Sequence, residues 1–293
     1  MTKVVGLIGY PAQKNLSAFM HNAGFQKLNL NYIYLLFEVK PLNLKKAVQG
    51  MKALNFAGFN VTVPFKEEIL PLLDNLTPEA KKIGAVNTVW QDPTGKLIGD
   101  NTDGKGFLQA LKLEKGVEPQ DKRVFLIGAG GAARAIAITL TQEKIKEIYI
   151  TDLNVNKAEK LVQRVQKISK KAGYPPFKIE VVKPKEYTEM KKIIDKVDIL
   201  INATPMGMYN NPDNIPIPIE VLNPHILVYD IINNPYKTKF LQLAEQLGAE
   251  ILNGLPMLAY QGIEAFQRWT SKKVSVRLFK KAAKERVEKY SFK

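Results

Sequence analysis

Val124-Phe125-Leu126-Ile127-Gly128-Ala129-Gly130-Gly131-Ala132-Ala133-Arg134 runs from four consecutive apolar residues through a glycine cluster into an apolar helical stretch that ends near Leu140. A buried strand that turns tightly into a helix is the G-x-G-x-x-G/A context of dinucleotide binding. Gly128 makes the turn, Gly130 lets backbone approach a pyrophosphate, and small Ala133 lets helix and strand pack closely. The N–H groups at the start of the helix then face the anion, so Gly128, Ala129, Gly130, Gly131 and Ala132 are the expected cofactor contacts. The next strand, Glu147 to Thr151, delivers Asp152, 24 residues after Gly128, where an acidic side chain accepts from an adenosine ribose. A carboxylate there suits the 2'-hydroxyl of NAD and repels the 2'-phosphate of NADP. NAD is therefore the favoured cofactor, and Lys157 nearby keeps NADP from being excluded.

Outward from this motif, strands are expected at Val124–Ile127, Glu147–Thr151, Ile179–Val182, Asp198–Asn202 and Ile226–Asp230, with helical patterns between most of them. Parallel strands need such crossovers, so this region reads as a doubly wound parallel sheet. Upstream, strands are expected at Lys3–Tyr10, Asn31–Val39 and Phe59–Val63, the last stopped by Pro64. A helix spaced by Leu44, Val48 and Met51 lies among them, and Ala85–Trp90 with Leu97–Gly99 form a hairpin about Asp92-Pro93-Thr94-Gly95-Lys96. After Asn253-Gly254-Leu255-Pro256-Met257 the chain shows helices without strands, which should return to the first lobe and make it discontinuous. The fold class is α/β in two lobes: a substrate-binding catalytic domain at 1–104 and 250–293, and a Rossmann-like dinucleotide domain at 105–249.

Composition removes competing chemistries. The 293 residues contain no Cys, which excludes disulfides, thiolate metal sites and thiol nucleophiles. Two histidines, His21 and His225, are too few for a multi-histidine metal site, so no metal is expected, although one could serve a Ser–His pair. The net charge of +15 sits almost wholly in two segments: Lys157–Lys196, with 12 basic and 5 acidic residues, and Ser271–Lys293, with 9 and 2. Both read as amphipathic helices with solvated lysines, Leu161, Val165 and Ile168 forming one apolar stripe, so nucleic acid is not an expected partner. The N-terminus opens like a strand rather than a signal peptide, no apolar run is long enough to span a membrane, and the cytoplasm is the expected location.

The first lobe gathers polar residues in Asn60-Val61-Thr62-Val63-Pro64-Phe65-Lys66, Ala85-Val86-Asn87-Thr88 and Asn101-Thr102-Asp103-Gly104. Donors and acceptors of this kind suit a polyhydroxylated substrate. With GLIGYP from residue 6, GAGGAAR (128–134), NATPMGM (202–208) and YQG (260–262), these strings make the chain resemble the shikimate dehydrogenase family, including its quinate/shikimate members, over essentially its whole length. The resemblance implies reversible, NAD(P)-dependent reduction of 3-dehydroshikimate to shikimate, in the chorismate pathway to aromatic amino acids. By motif, Lys66 and Asp103 match the catalytic pair, and Thr62, Asn87 and Gln261 match groups that hold substrate hydroxyls. Ser17 matches the second serine of an S-x-S element for the substrate carboxylate, with Asn15 in place of the first. Thr204, Ile231 and Gly254 fall in segments near the nicotinamide, and Asn154 lies in the loop for the adenosine end.

The departures bear on specificity. Asn15, Ala18 in place of a proline, and Asn233 in place of a substrate-contacting tyrosine alter the carboxylate end, where an amide can still donate. Quinate is therefore carried as a second substrate, and a quinate/shikimate dehydrogenase using mainly NAD as the alternative reading. Asp152 likewise departs from the Asn-Arg-Thr pattern of NADP-using members. A non-catalytic NAD-dependent sensor would keep the glycine loop and lose Lys66 or Asp103, and both are present. A dehydrogenase acting on methylene-tetrahydrofolate would share the architecture but not account for NVTVPFK with NTDG. A homodimer is left open.

Overall fold

The computed structural model describes residues 1–290; residues 291–293, which include Lys293 of the basic C-terminal segment, lie outside the described residues. The chain runs β1 (Lys3–Gly9), α1 (Ser17–Lys27), β2 (Tyr32–Glu38), α2 (Leu44–Ala53), β3 (Gly58–Val61), β4 (Asn75–Leu76), α3 (Pro78–Ile83), β5 (Thr88–Gln91), β6 (Leu97–Asp100) and α4 (Asp103–Lys115). It continues through β7 (Arg123–Ile127), α5 (Gly131–Gln142), β8 (Glu147–Thr151), α6 (Val155–Ala172), β9 (Lys178–Val181), α7 (Tyr187–Ile194), β10 (Ile199–Asn202), β11 (Leu227–Asp230), α8 (Lys239–Gln246), β12 (Glu250–Leu252), α9 (Leu255–Thr270) and α10 (Val276–Tyr290). Two compact units result, one of Met1–Gly106 with the residues from Leu258 on, the other Phe107–Met257. The chain leaves the first unit within α4 and returns to it within α9.

The first unit holds a mixed sheet in the order β2-β1-β3-β5-β6-β4, with β5 antiparallel to both its neighbours. The hairpin forms where the sequence places it because the Asp92 carboxylate accepts from the N–H groups of Thr94 (2.8 Å) and Lys96 (3.0 Å), closing the turn. Ile8, Phe59, Phe65, Val86 and Val89 make one core. A second cluster is aromatic: Phe25, His21 and Tyr34 pack with Phe266, Trp269 and Phe279, which binds α1 to α9 and α10. His21 is fully buried there, and desolvation lowers its pKa from 6.5 to about 3, so the imidazole is neutral at ordinary pH. Neither ring nitrogen has a hydrogen-bond partner among the described residues, so the expected option of a Ser–His pair is not realised at His21.

The second unit is a six-stranded, wholly parallel sheet in the order β12-β11-β10-β7-β8-β9. Numbered from β7, this is the 3-2-1-4-5-6 order of a Rossmann fold, whose ligand crevice lies where the order reverses, beyond the carboxyl ends of β7 and β10. Its core contains Phe125, Leu200, Val228 and Phe240, and burying each such side chain stabilises the fold by about 1.5–3 kcal/mol. On α6, Ala158, Leu161, Val162, Val165 and Ser169 are buried while Lys160, Lys167 and Lys171 face solvent. Among the described residues no helix is long and apolar enough to cross a membrane.

Three differences from the sequence expectations matter. Glu250–Leu252 is a strand paired with β11, so residues 250–257 belong with the second unit rather than the first. β4 pairs with β6 and was not anticipated, being only two residues long. β3 stops at Val61, which leaves Thr62 and Val63 beyond the strand.

Candidate active site

The site begins at the ends of β3, β5 and β6 in the first unit. Lys66 follows the turn after β3, where its carbonyl accepts from Val86 N–H at 2.7 Å and so ties the two segments together. Asp103 opens α4, where the helix dipole favours a carboxylate, and its N–H donates to Asn101 Oδ1 at 3.0 Å. Lys66 Nζ donates to Asp103 Oδ2 at 2.5 Å, with side-chain exposures of only 16% and 7%. This ion pair is therefore largely screened from water while the lysine keeps two further N–H donors.

Asn87 sits beside the pair and is itself buried. Its Nδ2 faces Asp103 Oδ1 (2.8 Å), Thr102 Oγ1 (3.0 Å) and Gln261 Oε1 (3.2 Å), and its Oδ1 accepts from Thr102 N–H (2.9 Å). Gln261, contributed by α9, donates its own amide to Leu258 O at 2.9 Å. The structure thus brings Lys66, Asp103, Asn87 and Gln261 into one hydrogen-bonded cluster, although they are as much as 195 positions apart in the chain.

Thr62 is half-buried just beyond β3, its N–H donating to Ile8 O (3.0 Å) and its carbonyl accepting from Phe65 N–H (2.9 Å). A Cβ on Gly9 would strike its methyl group, which explains the glycine in GLIGYP. Asn15 accepts the Ser17 N–H on Oδ1 at 2.9 Å, and Ser17 starts α1 as a buried residue. The amide of Asn15 thereby spends its oxygen on the helix start and retains Nδ2 as a donor. Asn233 is half-buried in the second unit, after β11.

In the second unit the glycine cluster forms a tight turn from β7 into α5. Gly128 has φ +111°, and a Cβ there would lie 3.0 Å from Ala203 O, so neither the backbone nor the neighbouring loop tolerates a side chain. Gly130 caps α5 with no side-chain hydrogen bond, and a Cβ added to it meets nothing within 4 Å. A helix start without a side-chain cap, with open space beside Gly130, can receive the pyrophosphate of a dinucleotide on its first N–H groups. Gly254 is required for a different reason: any Cβ would collide with the Ile231 carbonyl, and its N–H donates to Ile232 O at 2.9 Å. Thr204 Oγ1 donates to Asn202 Oδ1 at 2.7 Å.

Asp152 occupies the end of β8 as expected, but its carboxylate has backbone partners. Oδ2 accepts from Ala129 N–H and Oδ1 from Asn154 N–H, both at 2.8 Å, which fastens the glycine turn to the loop after β8. Asn154 is the N-cap of α6, accepting from Lys157 N–H at 3.2 Å. Each carboxylate oxygen of Asp152 still has a lone pair for a ribose hydroxyl.

Several residues of these networks have no role implied by the resemblance, although Asn60, Thr88, Thr102 and Asn202 lie within the strings that carry it. Thr102 links Asn87 to Gln261, and Asn60 and Thr88 sit behind Asn87. In the second unit Asp230 accepts from Thr238 Oγ1 (2.7 Å), Asn202 Nδ2 (3.1 Å) and Ile232 N–H (3.1 Å). Burial outweighs the opposing pull of those three hydrogen bonds and leaves its carboxyl raised to about 6. A physical sign of such residues in sequence is a polar side chain inside an otherwise apolar strand, as in Gly58-Phe59-Asn60-Val61. Among the described residues no group of three or more His, Cys, Asp or Glu could hold a metal ion.

A Rossmann sheet with an open glycine turn, together with a screened lysine–carboxylate pair amid amide donors, defines an oxidoreductase dependent on a pyridine nucleotide. Residues 7–89 match the shikimate dehydrogenase substrate binding domain, 110–209 the shikimate/quinate 5-dehydrogenase family, and 254–284 the shikimate 5'-dehydrogenase C-terminal domain. The chain belongs to the shikimate dehydrogenase family. It is 45% identical over 271 residues to the shikimate dehydrogenase (NADP(+)) of Desulforamulus reducens, covering 92% of this chain and 90% of the relative. It is 44% identical over 290 residues to that of Methanocaldococcus jannaschii, covering 98% of each. Shikimate 5-dehydrogenase from Listeria monocytogenes, solved with shikimate and NAD, superposes with a TM-score of 0.84 at 39% identity, covering 96% of each chain.

Proposed function

We propose that the chain catalyses the reversible reduction of 3-dehydroshikimate to shikimate, with the first unit as its substrate domain and the second as its dinucleotide domain. The observation that carries this reading is the Lys66–Asp103 pair at 2.5 Å, joined to Asn87 and Gln261. The bound pyridine nucleotide supplies the hydride for reduction or accepts it for oxidation. In reduction, Lys66 Nζ donates a proton to the oxygen that was the ketone, and in oxidation the same nitrogen takes the proton from the hydroxyl. Asp103 orients the lysine and accepts from a ring hydroxyl, while Asn87, Thr62 and Gln261 hold the remaining hydroxyls. The Nδ2 of Asn15 and the hydroxyl of Ser17 receive the substrate carboxylate, which matches two donors to an anion.

NAD is the cofactor that Asp152 favours. Its two backbone bonds leave its charge in place, and a charge about 5 Å from each negative charge of a 2'-phosphate costs about 3 kcal/mol at an effective dielectric near 20. Leu153, beside it, offers no cation, which leaves Lys157 as the nearby basic residue that could offset part of this. The names of the Desulforamulus and Methanocaldococcus relatives lean the other way, toward NADP. Steady-state kinetics with shikimate and quinate, each with NAD and NADP, test both parts of the proposal. Oxidation of shikimate supports the reading, and inactivity on both alcohols overturns it. A kcat/KM higher with NADP than with NAD overturns the role given to Asp152.

A further inference from the structure

Behind Asn87 lies a buried hydrogen-bond relay that touches no part of the Lys66–Asp103 pair directly. Tyr34 on β2, Asn60 on β3 and Thr88 on β5 are each at most 4% exposed. The Tyr34 backbone is clamped by Asn22, which accepts from its N–H (2.8 Å) and donates to its carbonyl (3.0 Å). Its ring stacks on His21 with centroids 4.6 Å apart and planes within 6°. Position and orientation of the phenol are thus set before its hydroxyl makes any bond.

That hydroxyl donates to Asn60 Oδ1 at 2.8 Å. With its oxygen so committed, Asn60 turns Nδ2 toward Asn87 O (2.9 Å) and Thr88 Oγ1 (3.1 Å). Thr88 Oγ1, accepting there, is left with its single hydrogen for Asn87 Oδ1 at 3.0 Å. Asn87 Oδ1 is thereby held among donors and Nδ2 is driven toward Asp103 Oδ1. Reversal of the Asn87 amide would set its oxygen against the Asp103 carboxylate and its NH₂ against the Thr102 N–H, both repulsive contacts in a dry site.

We infer that Thr88 is a positioning residue, the last member of a Tyr34–Asn60–Thr88 relay that fixes which way the Asn87 amide points and so holds Asp103 for Lys66. The inference rests on the functional reading above, because Asn87 and Asp103 matter only if the reaction passes through them.

Thr88→Val keeps the shape and removes the hydroxyl, and Thr88→Ser keeps the hydroxyl and removes a methyl group. With shikimate as the varied substrate, Thr88→Val is expected to lower kcat about tenfold, the scale of one buried hydrogen bond lost to an unpaired partner. The KM for the cofactor should not change, and Thr88→Ser should stay within about twofold of the wild-type kcat. A role in packing alone would spare kcat per folded molecule, or would impair the serine variant as much as the valine one; either result overturns the inference. Should Thr88→Val fail to fold, Tyr34→Phe removes the first donor of the relay; because that hydroxyl also bonds Ser17, the expected loss is in kcat with the KM for shikimate unchanged, and a wild-type kcat or a loss confined to that KM overturns the inference. A wild-type protein that oxidises no shikimate overturns the functional reading and this inference with it, which separates that failure from an active wild type whose variants are unimpaired.

Discussion

Lowering the pH from 7.5 to 5.0 should weaken the first unit through one residue, His21. Its ring is fully buried among Tyr34, Phe25, Phe266, Trp269 and Phe279, and its pKa is lowered to about 3 by desolvation. A group whose folded pKa lies below its unfolded value contributes stability that is complete above the unfolded pKa and is lost as pH falls below it. The window is therefore from about 6.5 down to about 3. At pH 5.0 the native imidazole is still neutral, so the loss depends only on the unfolded chain, which binds a proton with pKa about 6.5 and gains about 2 kcal/mol. With a urea m-value of about 2 kcal/mol per molar, that moves the midpoint by about 1 M. Both tryptophans, Trp90 and Trp269, lie in the first unit, and Trp269 is 5.1 Å from the His21 ring, so their fluorescence reports the unfolding of this unit. His21→Phe cannot titrate, and any packing cost of the larger ring is the same at both pH values. The drop in midpoint between pH 7.5 and 5.0 should therefore be smaller in His21→Phe by about 1 M, since other titrating groups are common to both proteins. An equal drop in both proteins would refute a buried, neutral His21.

The remaining predictions concern the site. Lys66→Ala should lower kcat for shikimate oxidation by about two to four orders of magnitude while the KM for the cofactor stays as in the wild type, and near-normal turnover would remove the lysine from the proton step. Asp152→Ser combined with Leu153→Arg should raise the NADP to NAD ratio of kcat/KM, because a repelling charge is replaced by one that pairs with phosphate; an unchanged ratio counts against the residue as the discriminator. Asn233→Tyr should depress quinate turnover more than shikimate turnover, since quinate carries an added hydroxyl on the ring carbon that bears the carboxylate; equal losses would dismiss Asn233 from substrate choice.

What could be read along the chain and what could not divides by the range of the interaction. The strand–turn–helix at Gly128 was legible because its constraints are local: a left-handed φ, an uncapped helix start and a small Ala133 all lie within six positions. β12 escaped notice because Glu250-Ile251-Leu252 is too short to display a period, and it becomes a strand only through pairing with β11. The boundary expected at residue 250 failed for the same reason. Lys66, Asp103, Asn87 and Gln261 were named from motif resemblance, and their convergence depends on turns that no periodicity describes. Asn60 and Thr88 are harder still, because a polar residue in a buried strand looks like an error until its partners, from Tyr34 to Thr102, are found across the sheet and in the adjoining loop. Asp152 shows the intermediate case: its position followed from strand length, whereas the bond to Ala129 N–H required the loop itself. The same carboxylate therefore serves two ends, closing the glycine turn and setting the charge presented to the ribose. Asp152→Ser removes both at once, so the cofactor ratio, which depends on the charge, is a cleaner measure of its role than the overall rate, which depends on the loop as well.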